Sequence, residues 1–241
     1  MRIIKLLLFK LRQDLSEVFV YLKPSWGNDG RLDYNIYWRR RRPKVGNFQL
    51  SAWQQTRARL VLPWLSDDDV VLDLGGGAGE MLAYWSERKK ITGICVDNNQ
   101  MALDQAKSRG FEILNLDLSQ PQNWSLIPEC DYLTGFEIIE HLPNPEEFIL
   151  AIKKRARKGL IFSVPNSGYY KHRLRLLFGR WPLQWVVHPG EHLRFWTVRD
   201  IKQWVSWLGL KLKQLTVYEG LPILNKLWPS LFGQGIIIHI Y

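Results

Sequence analysis

Sulfur is scarce in this 241-residue chain, which holds two cysteines and three methionines. Cys95 and Cys130 both sit in apolar runs, so they form neither a disulfide framework nor a metal knuckle, and a reduced, cytoplasmic setting is expected. There is no run of about 18 uncharged apolar residues, so no membrane-spanning helix is expected. The opening MRIIKLLLFKLRQDL has the basic start of a signal peptide, but Lys5 and Lys10 interrupt its apolar run. With no small-residue cleavage site following, the segment is read as retained. Internal repeats and low-complexity tracts are also missing. Hydrophobic residues at 46% and charged residues at 23% are ordinary values, which sets aside disordered and fibrous proteins.

Acids are in deficit, 23 against 33 lysines and arginines, for a formal net charge of +10. The deficit is uneven: residues 1–60 carry +9, residues 61–152 carry −11, and residues 153–180 carry +9 without a single acid. Such polarity suits an acidic half for a cationic ligand and basic segments for an anionic partner or surface, with solvated surface charge as the plainer alternative.

In residues 3–22, Ile3, Ile4, Leu7, Leu8, Leu11, Leu15, Val18, Phe19 and Leu22 recur at helical steps. This predicts a basic amphipathic helix ended by Pro24, packing on the domain or lying on an anionic membrane. Pro24 to Gly30 reads as a turn-rich linker and Arg39 to Arg42 as a basic loop before Pro43. Residues 1–60 are therefore expected to form a basic N-terminal extension and residues 61–241 the main domain.

From Asp69 an alternation of short apolar strands and helices begins. Val70 to Leu74, Ile91 to Val96, Phe111 to Leu116, Tyr132 to Phe136 and Leu160 to Val164 read as strands, with Glu80 to Arg88 and Gln100 to Arg109 as helices between them. This pattern predicts an α/β fold with a parallel sheet and helices on both faces. A helix from Thr197 to Leu208 and strands Leu210 to Tyr218 and Gly235 to Tyr241 close the chain.

The first strand runs into Asp73-Leu74-Gly75-Gly76-Gly77-Ala78-Gly79. A glycine-rich turn between strand and helix lets a ligand approach the backbone at the carboxyl end of the sheet. Asp97 ends the next strand, where a carboxylate takes both hydroxyls of a ribose. Dinucleotides and adenosyl nucleosides both fit that far. Asp73 favours the latter, because it would repel a pyrophosphate and attract an ammonium. Asp117, in Leu114-Asn115-Leu116-Asp117, could accept from an adenine amino group.

These segments resemble the class I S-adenosylmethionine-dependent methyltransferases, over roughly Trp64 to Tyr241. VLDLGGGAG resembles their first motif, ICVDNN their ribose-binding loop, LNLDL their adenine-side loop and GFEIIEHLPNPEEF their fourth-strand motif. The resemblance implies a Rossmann-like, seven-stranded, mostly parallel sheet with its last strand antiparallel. It assigns the cofactor to Asp73, Gly75, Gly77, Gly79, Asp97, Asn98, Asp117, Leu118 and Phe136.

Glu137, Glu140 and His141 follow a Glu-x-x-Glu-His spacing, and His192 precedes a late helix. Such a set can hold Mg2+ or another divalent ion and so lower the pKa of a bound hydroxyl. The pattern is similar to that of metal-using O-methyltransferases of ubiquinone biosynthesis and of small-RNA 3′ ends. Family members without a metal also carry a Glu-His pair here, so orienting the cofactor or acting as a base stays open for these residues, with His141 and His192 as base candidates. FSVPNSGY, Arg173, Gly179, Arg180 and the closing WPSLFG are similar to methyltransferase-like proteins of methionine biosynthesis, the MetW group. The basic extension and the Glu140-His141 pair depart from that group.

Residues 166–190, rich in Tyr, Trp and Arg, are expected to form a lid. The function expected is O-methylation of a small acceptor that is anionic or partly apolar, such as a lipid, quinone or glycan. An accessory protein activating a partner enzyme and an RNA methyltransferase are the alternatives. The protein is expected in the cytoplasm, with peripheral contact to an anionic membrane through its amphipathic start.

Overall fold

The computed structural model describes residues 2–23, 50–185 and 188–241. The expected linker from Pro24, the arginine run before Pro43, and Val186 and Val187 of the expected lid lie outside the described residues. Seven strands form one sheet: β1 (Val70–Leu74), β2 (Thr92–Asp97), β3 (Glu112–Asn115), β4 (Cys130–Phe136), β5 (Ala156–Pro165), β6 (Leu212–Tyr218) and β7 (Gly235–Ile240). Their order is β3-β2-β1-β4-β5-β7-β6. The pairings β1 with β2, β1 with β4, β2 with β3 and β4 with β5 are parallel. β7 is antiparallel, and Lys211 and Tyr241 at its margin exchange both backbone hydrogen bonds, at 2.9 and 3.1 Å.

Chemistry sorts the strands across the sheet. β1, β4 and β7 are almost wholly buried and read as near-continuous apolar runs, as strands covered on both faces must. The edge strands β3 and β6 are half exposed. Lys213 and Gln214 on β6 keep that edge from pairing with another chain. Strand order reverses between β1 and β4, which opens a crevice at their carboxyl ends.

The chain divides into two compact units. One comprises the described residues from 50 to Val164 with Lys202–Thr216 and Ile237–Tyr241. It contains helices α2 (Ala52–Val61), α3 (Glu80–Ser86), α4 (Gln100–Ser108) and α5 (Pro145–Ile152). The start of α2 is fixed by a capping box: the Gln54 amide donates to Ser51 Oγ at 3.3 Å and the Ser51 amide to Gln54 Oε1 at 2.9 Å. Trp85 of α3, fully buried, donates its indole N–H to the Ala58 carbonyl at 3.0 Å and so ties α3 to α2. At the amino ends of the strands, Arg157 grips Asp131 with two hydrogen bonds of 3.1 and 3.2 Å, and Lys158 pairs with Asp69. These pairs let β5 begin four residues earlier than its apolar run, in Ala156-Arg157-Lys158-Gly159.

The other unit comprises the N-terminal segment with Pro165–Ile201 and Val217–Ile236. In it, α1 (Arg2–Glu17) contacts α6 (Tyr170–Leu177), and Leu7 and Leu11 pack on the Tyr169, Tyr170 and Leu221 cluster. Asp14 is fully buried and accepts hydrogen bonds from the Tyr169 and Tyr170 hydroxyls. α1 stops at Glu17, although the apolar period runs on to Leu22. The Arg175 guanidinium accounts for this, since it donates to the carbonyls of Glu17, Val18 and Val20 at 2.7, 2.9 and 3.0 Å. α7 (Val198–Trp207), α8 (Leu224–Leu227) and α9 (Pro229–Phe232) complete the described helices. Among the described residues no helix is long and apolar enough to cross a membrane.

Candidate active site

The crevice at the strand reversal is floored by the turn from β1 into α3. Gly75, Gly77 and Gly79 have φ of 64°, 56° and 73°, a region that costs a residue with a Cβ about 1–2 kcal/mol. Space is as restrictive as conformation at Gly75, where an added Cβ would come within 2.0 Å of Ile138 Cδ1. The loop is therefore a bare-backbone cradle, pinned by the Gly76 amide to the Val96 carbonyl at 3.0 Å. Beneath it lies Cys95, whose buried Sγ donates to the Gly77 carbonyl at 3.4 Å. Burial and the neighbouring carboxylates Asp73, Asp97 and Glu80 push its thiol far above the usual range.

Asp73 and Asp97 lie against this cradle at the carboxyl ends of adjacent strands, and Asp117 follows the end of the next strand. Asp73 on β1 is buried and accepts from Thr134 Oγ1 on β4 at 2.7 Å. Burial raises its pKa to about 7; the Thr134 bond opposes the rise, Glu80 and Asp97 add to it, and Arg57 opposes it. Asp97, at the end of β2, accepts from the Gly77 and Asn99 amides, both at 2.9 Å. Burial raises its pKa too, against the pull of those amides. Its oxygens keep lone pairs for further donors. Asn98 follows it, and Asn99 caps α4 by accepting from the Ala102 amide at 3.0 Å. Asp117, just beyond β3, accepts from the Ser119 amide and hydroxyl at 2.9 and 2.7 Å. The Leu118 carbonyl accepts from the Trp124 indole at 2.9 Å, which fixes the loop that carries both residues.

The end of β4 is strained where the fourth-strand motif begins. Phe136 lies 6.0 Å from the Trp85 ring, and Glu137 adopts a left-handed φ of 58°, unusual for a residue with a side chain. Its Oε1 accepts from Ser163 Oγ at 2.9 Å and lies 3.4 Å from Arg57 Nη1, while its amide donates to the Ser163 carbonyl at 3.1 Å. Arg57 also donates to Ser163 Oγ at 3.2 Å and sits 5.9 Å from the Phe136 ring centre. Of the expected metal set, Glu137 thus has an arginine partner. Glu140 is fully buried and His141 half-buried on the short 3₁₀ turn Ile139–His141. His192 belongs to the other unit, with its ring 6.4 Å from that of Phe195.

The structure brings Asp73, Gly75, Gly77, Gly79 and Asp97 together through direct bonds and close approach, and places Asp117, Leu118 and Phe136 at the ends of neighbouring strands. Sequence reasoning missed Arg57, Thr134 and Ser163. Thr134 and Ser163 sit inside buried strands that read as plain core. Arg57 had only the Ser51-x-x-Gln54 capping signal to announce its helix. Within the expected lid, Tyr169, Tyr170, Lys171, Arg175 and Arg180 bond to the N-terminal segment: the tyrosines to Asp14, Lys171 to Glu17, and Arg175 and Arg180 to its carbonyls.

Comparison with known proteins fits this architecture. The chain is 24% identical over 178 residues to the ubiquinone biosynthesis O-methyltransferase of Aeromonas salmonicida (strain A449), covering 68% of this chain and 75% of that protein. It is 23% identical over 167 residues to the Acinetobacter baumannii (strain ACICU) protein of the same name, covering 66% and 70%. A SAM-dependent methyltransferase from Archaeoglobus fulgidus superposes with a TM-score of 0.62 at 18% identity, over 86% of this chain and 99% of that one. Magnesium protoporphyrin IX methyltransferase from Synechocystis PCC 6803 gives 0.60 at 16% identity, over 86% and 99%. At these identities the structural likeness speaks for the fold. A family model described as a methyltransferase domain matches residues 37–215, and the chain belongs to the class I S-adenosylmethionine-dependent methyltransferases.

Proposed function

We propose that this methyltransferase acts on an oxygen of a small acceptor that is anionic or partly apolar. The observation that carries the cofactor side is the pair of buried acids, Asp73 and Asp97, at a turn whose Gly75 and Gly76 leave no room for a Cβ, with Asp117 just past the end of the next strand. Asp73 would hold the ammonium of the methionyl group, Asp97 the ribose hydroxyls and Asp117 with Leu118 the adenine edge. Phe136 would border the methyl group. Arg57 is the cation whose field reaches Asp73, and it would take the methionyl carboxylate. The bound cofactor supplies an electrophilic methyl carbon on a sulfonium.

The chain's own contribution is alignment and proton removal. An acceptor oxygen attacks the methyl carbon as the carbon–sulfur bond breaks, and its proton passes to His141 or His192. The names of the curated relatives support oxygen as the methylated atom. A divalent ion such as Mg2+ would draw on Glu140, His141 and His192, with Glu137 as the fourth candidate. A donor set of imidazole and carboxylate would also suit Mn2+, Fe2+ or Zn2+. Its chemistry would be to lower the pKa of an acceptor hydroxyl.

The test is calorimetric titration with S-adenosylmethionine and S-adenosylhomocysteine, followed by an acceptor screen on quinols, phenols and lipids that reads release of S-adenosylhomocysteine. His141→Gln or His192→Gln should lower kcat by about 100-fold or more while leaving cofactor affinity unchanged. Chelator-sensitive turnover restored by one added ion would support the metal. Cofactor binding without turnover on any acceptor class would sink the enzymatic part and favour an accessory role.

A further inference from the structure

The apolar stripe of α1 is only half used by the fold. Leu7 and Leu11 pack on the Tyr169, Tyr170 and Leu221 cluster, whereas Ile4, Leu8 and Leu15 stand 59%, 58% and 45% exposed. Steps of four and seven place these three in one row along the helix, so the row and the buried seam are neighbouring faces of the same element. The charges are sorted in the opposite sense. The two acids of α1 both face α6: Asp14 accepts from Tyr169 and Tyr170, and Glu17 pairs with Lys171. Lys10 leans on Asp14 at 3.4 Å. Lys5 and Arg12, seven residues apart and exposed, flank the Ile4–Leu8 row on its outer side. The outer side of α1 therefore carries apolar and cationic groups with no acid. Just past the helix end, the exposed rings of Phe19 and Phe178 lie 5.1 Å apart, with Arg180 4.2 Å over Tyr21.

We propose that this face of α1 docks on an anionic lipid surface, with the Ile4–Leu8–Leu15 row at the acyl boundary and Lys5 and Arg12 among the headgroups. Charge complementarity selects that occupant. Two copies of the face would set cations against cations, and a nucleic acid would leave the apolar row in water. A bilayer interface accepts both halves of the pattern at once. This docking is independent of the methyl-transfer chemistry.

Flotation of the full chain with phosphatidylglycerol-containing vesicles and with phosphatidylcholine vesicles tests it. The expected result is recovery with the anionic vesicles only, declining as salt rises past about 0.1 M, where the Debye length falls to about 10 Å. The double variant Ile4→Glu, Leu8→Glu should float about tenfold less, and Lys5→Gln with Arg12→Gln should remove the salt-sensitive part. Melting temperatures within error of the parent show that both variants keep the fold; if the glutamate pair melts early, the glutamine pair decides. Equal recovery with neutral vesicles, no flotation, undiminished flotation of a folded variant, or a dimer in light scattering that Leu8→Glu dissociates would each overturn the proposal.

Discussion

Asp73 carries two opposed demands at a single carboxyl. Its pKa is held up to about 7 by burial, against 3.8 for an ordinary aspartate. Between those values the folded chain keeps a proton that the unfolded chain releases, so stability falls as pH rises through the window, and the cost is complete above about 7. Asp73→Asn should therefore melt higher than the parent at about pH 8 and match it below about pH 4. The same variant should bind S-adenosylmethionine at least tenfold more weakly, and the parent's affinity should drop about tenfold per pH unit below 7. Thermal melts and titrations across that range check both halves, and a variant that melts lower at about pH 8 contradicts the assignment. Asp73, Asp97 and Asp117 were legible as candidates in the sequence because each lies at or just past the carboxyl end of a strand, beside a motif of fixed spacing. Arg57 was not, because what brings it beside Glu137 is a bond to Ser163 more than a hundred residues away. Glu137 was legible as a carboxylate, but its left-handed backbone and its arginine partner were not.

At the scale of elements, the strands with both faces covered were read closely, since continuous apolar runs admit few other readings. The ends went differently wherever a distant side chain took charge of the backbone. α1 ends at Glu17, where Arg175 collects the carbonyls of Glu17, Val18 and Val20, and helical periodicity alone carries no sign of that. β5 starts early because Arg157 and Lys158 find Asp131 and Asp69. Asp131 shows the balance: burial pushes its carboxyl up, yet Arg157 and the Val70 amide outweigh that and hold it below the usual range. Arg175→Ala should release the segment after Glu17, with amide exchange in residues 15–22 faster by about tenfold or more and exchange in β1 and β4 unchanged. Equal exchange in the variant would show that Arg175 does not set the helix end.

Across the molecule, the charge blocks of the sequence resolve into local pairings. Acids at the amino ends of β1 and β4, Asp69 and Asp131, are met by Lys158 and Arg157. Around the glycine loop, Asp73, Glu80 and Asp97 are buried within one another's field, and a cationic cofactor would relieve that repulsion. The sequence showed the acidic surplus but not which acids were already matched, because the matching cations come from the later basic block. The thiol packed under the glycine loop turns this arrangement into a gauge. Both cysteines are buried, so a thiol-reactive dye should label the native chain only when the protein opens. The rate at Cys95 should then track how often the Gly75–Gly79 cradle lifts. S-adenosylmethionine should slow that rate in proportion to occupancy and leave Cys130, in β4, at its own pace. Equal slowing at both positions would mean that the cradle never moves apart from the rest of the chain.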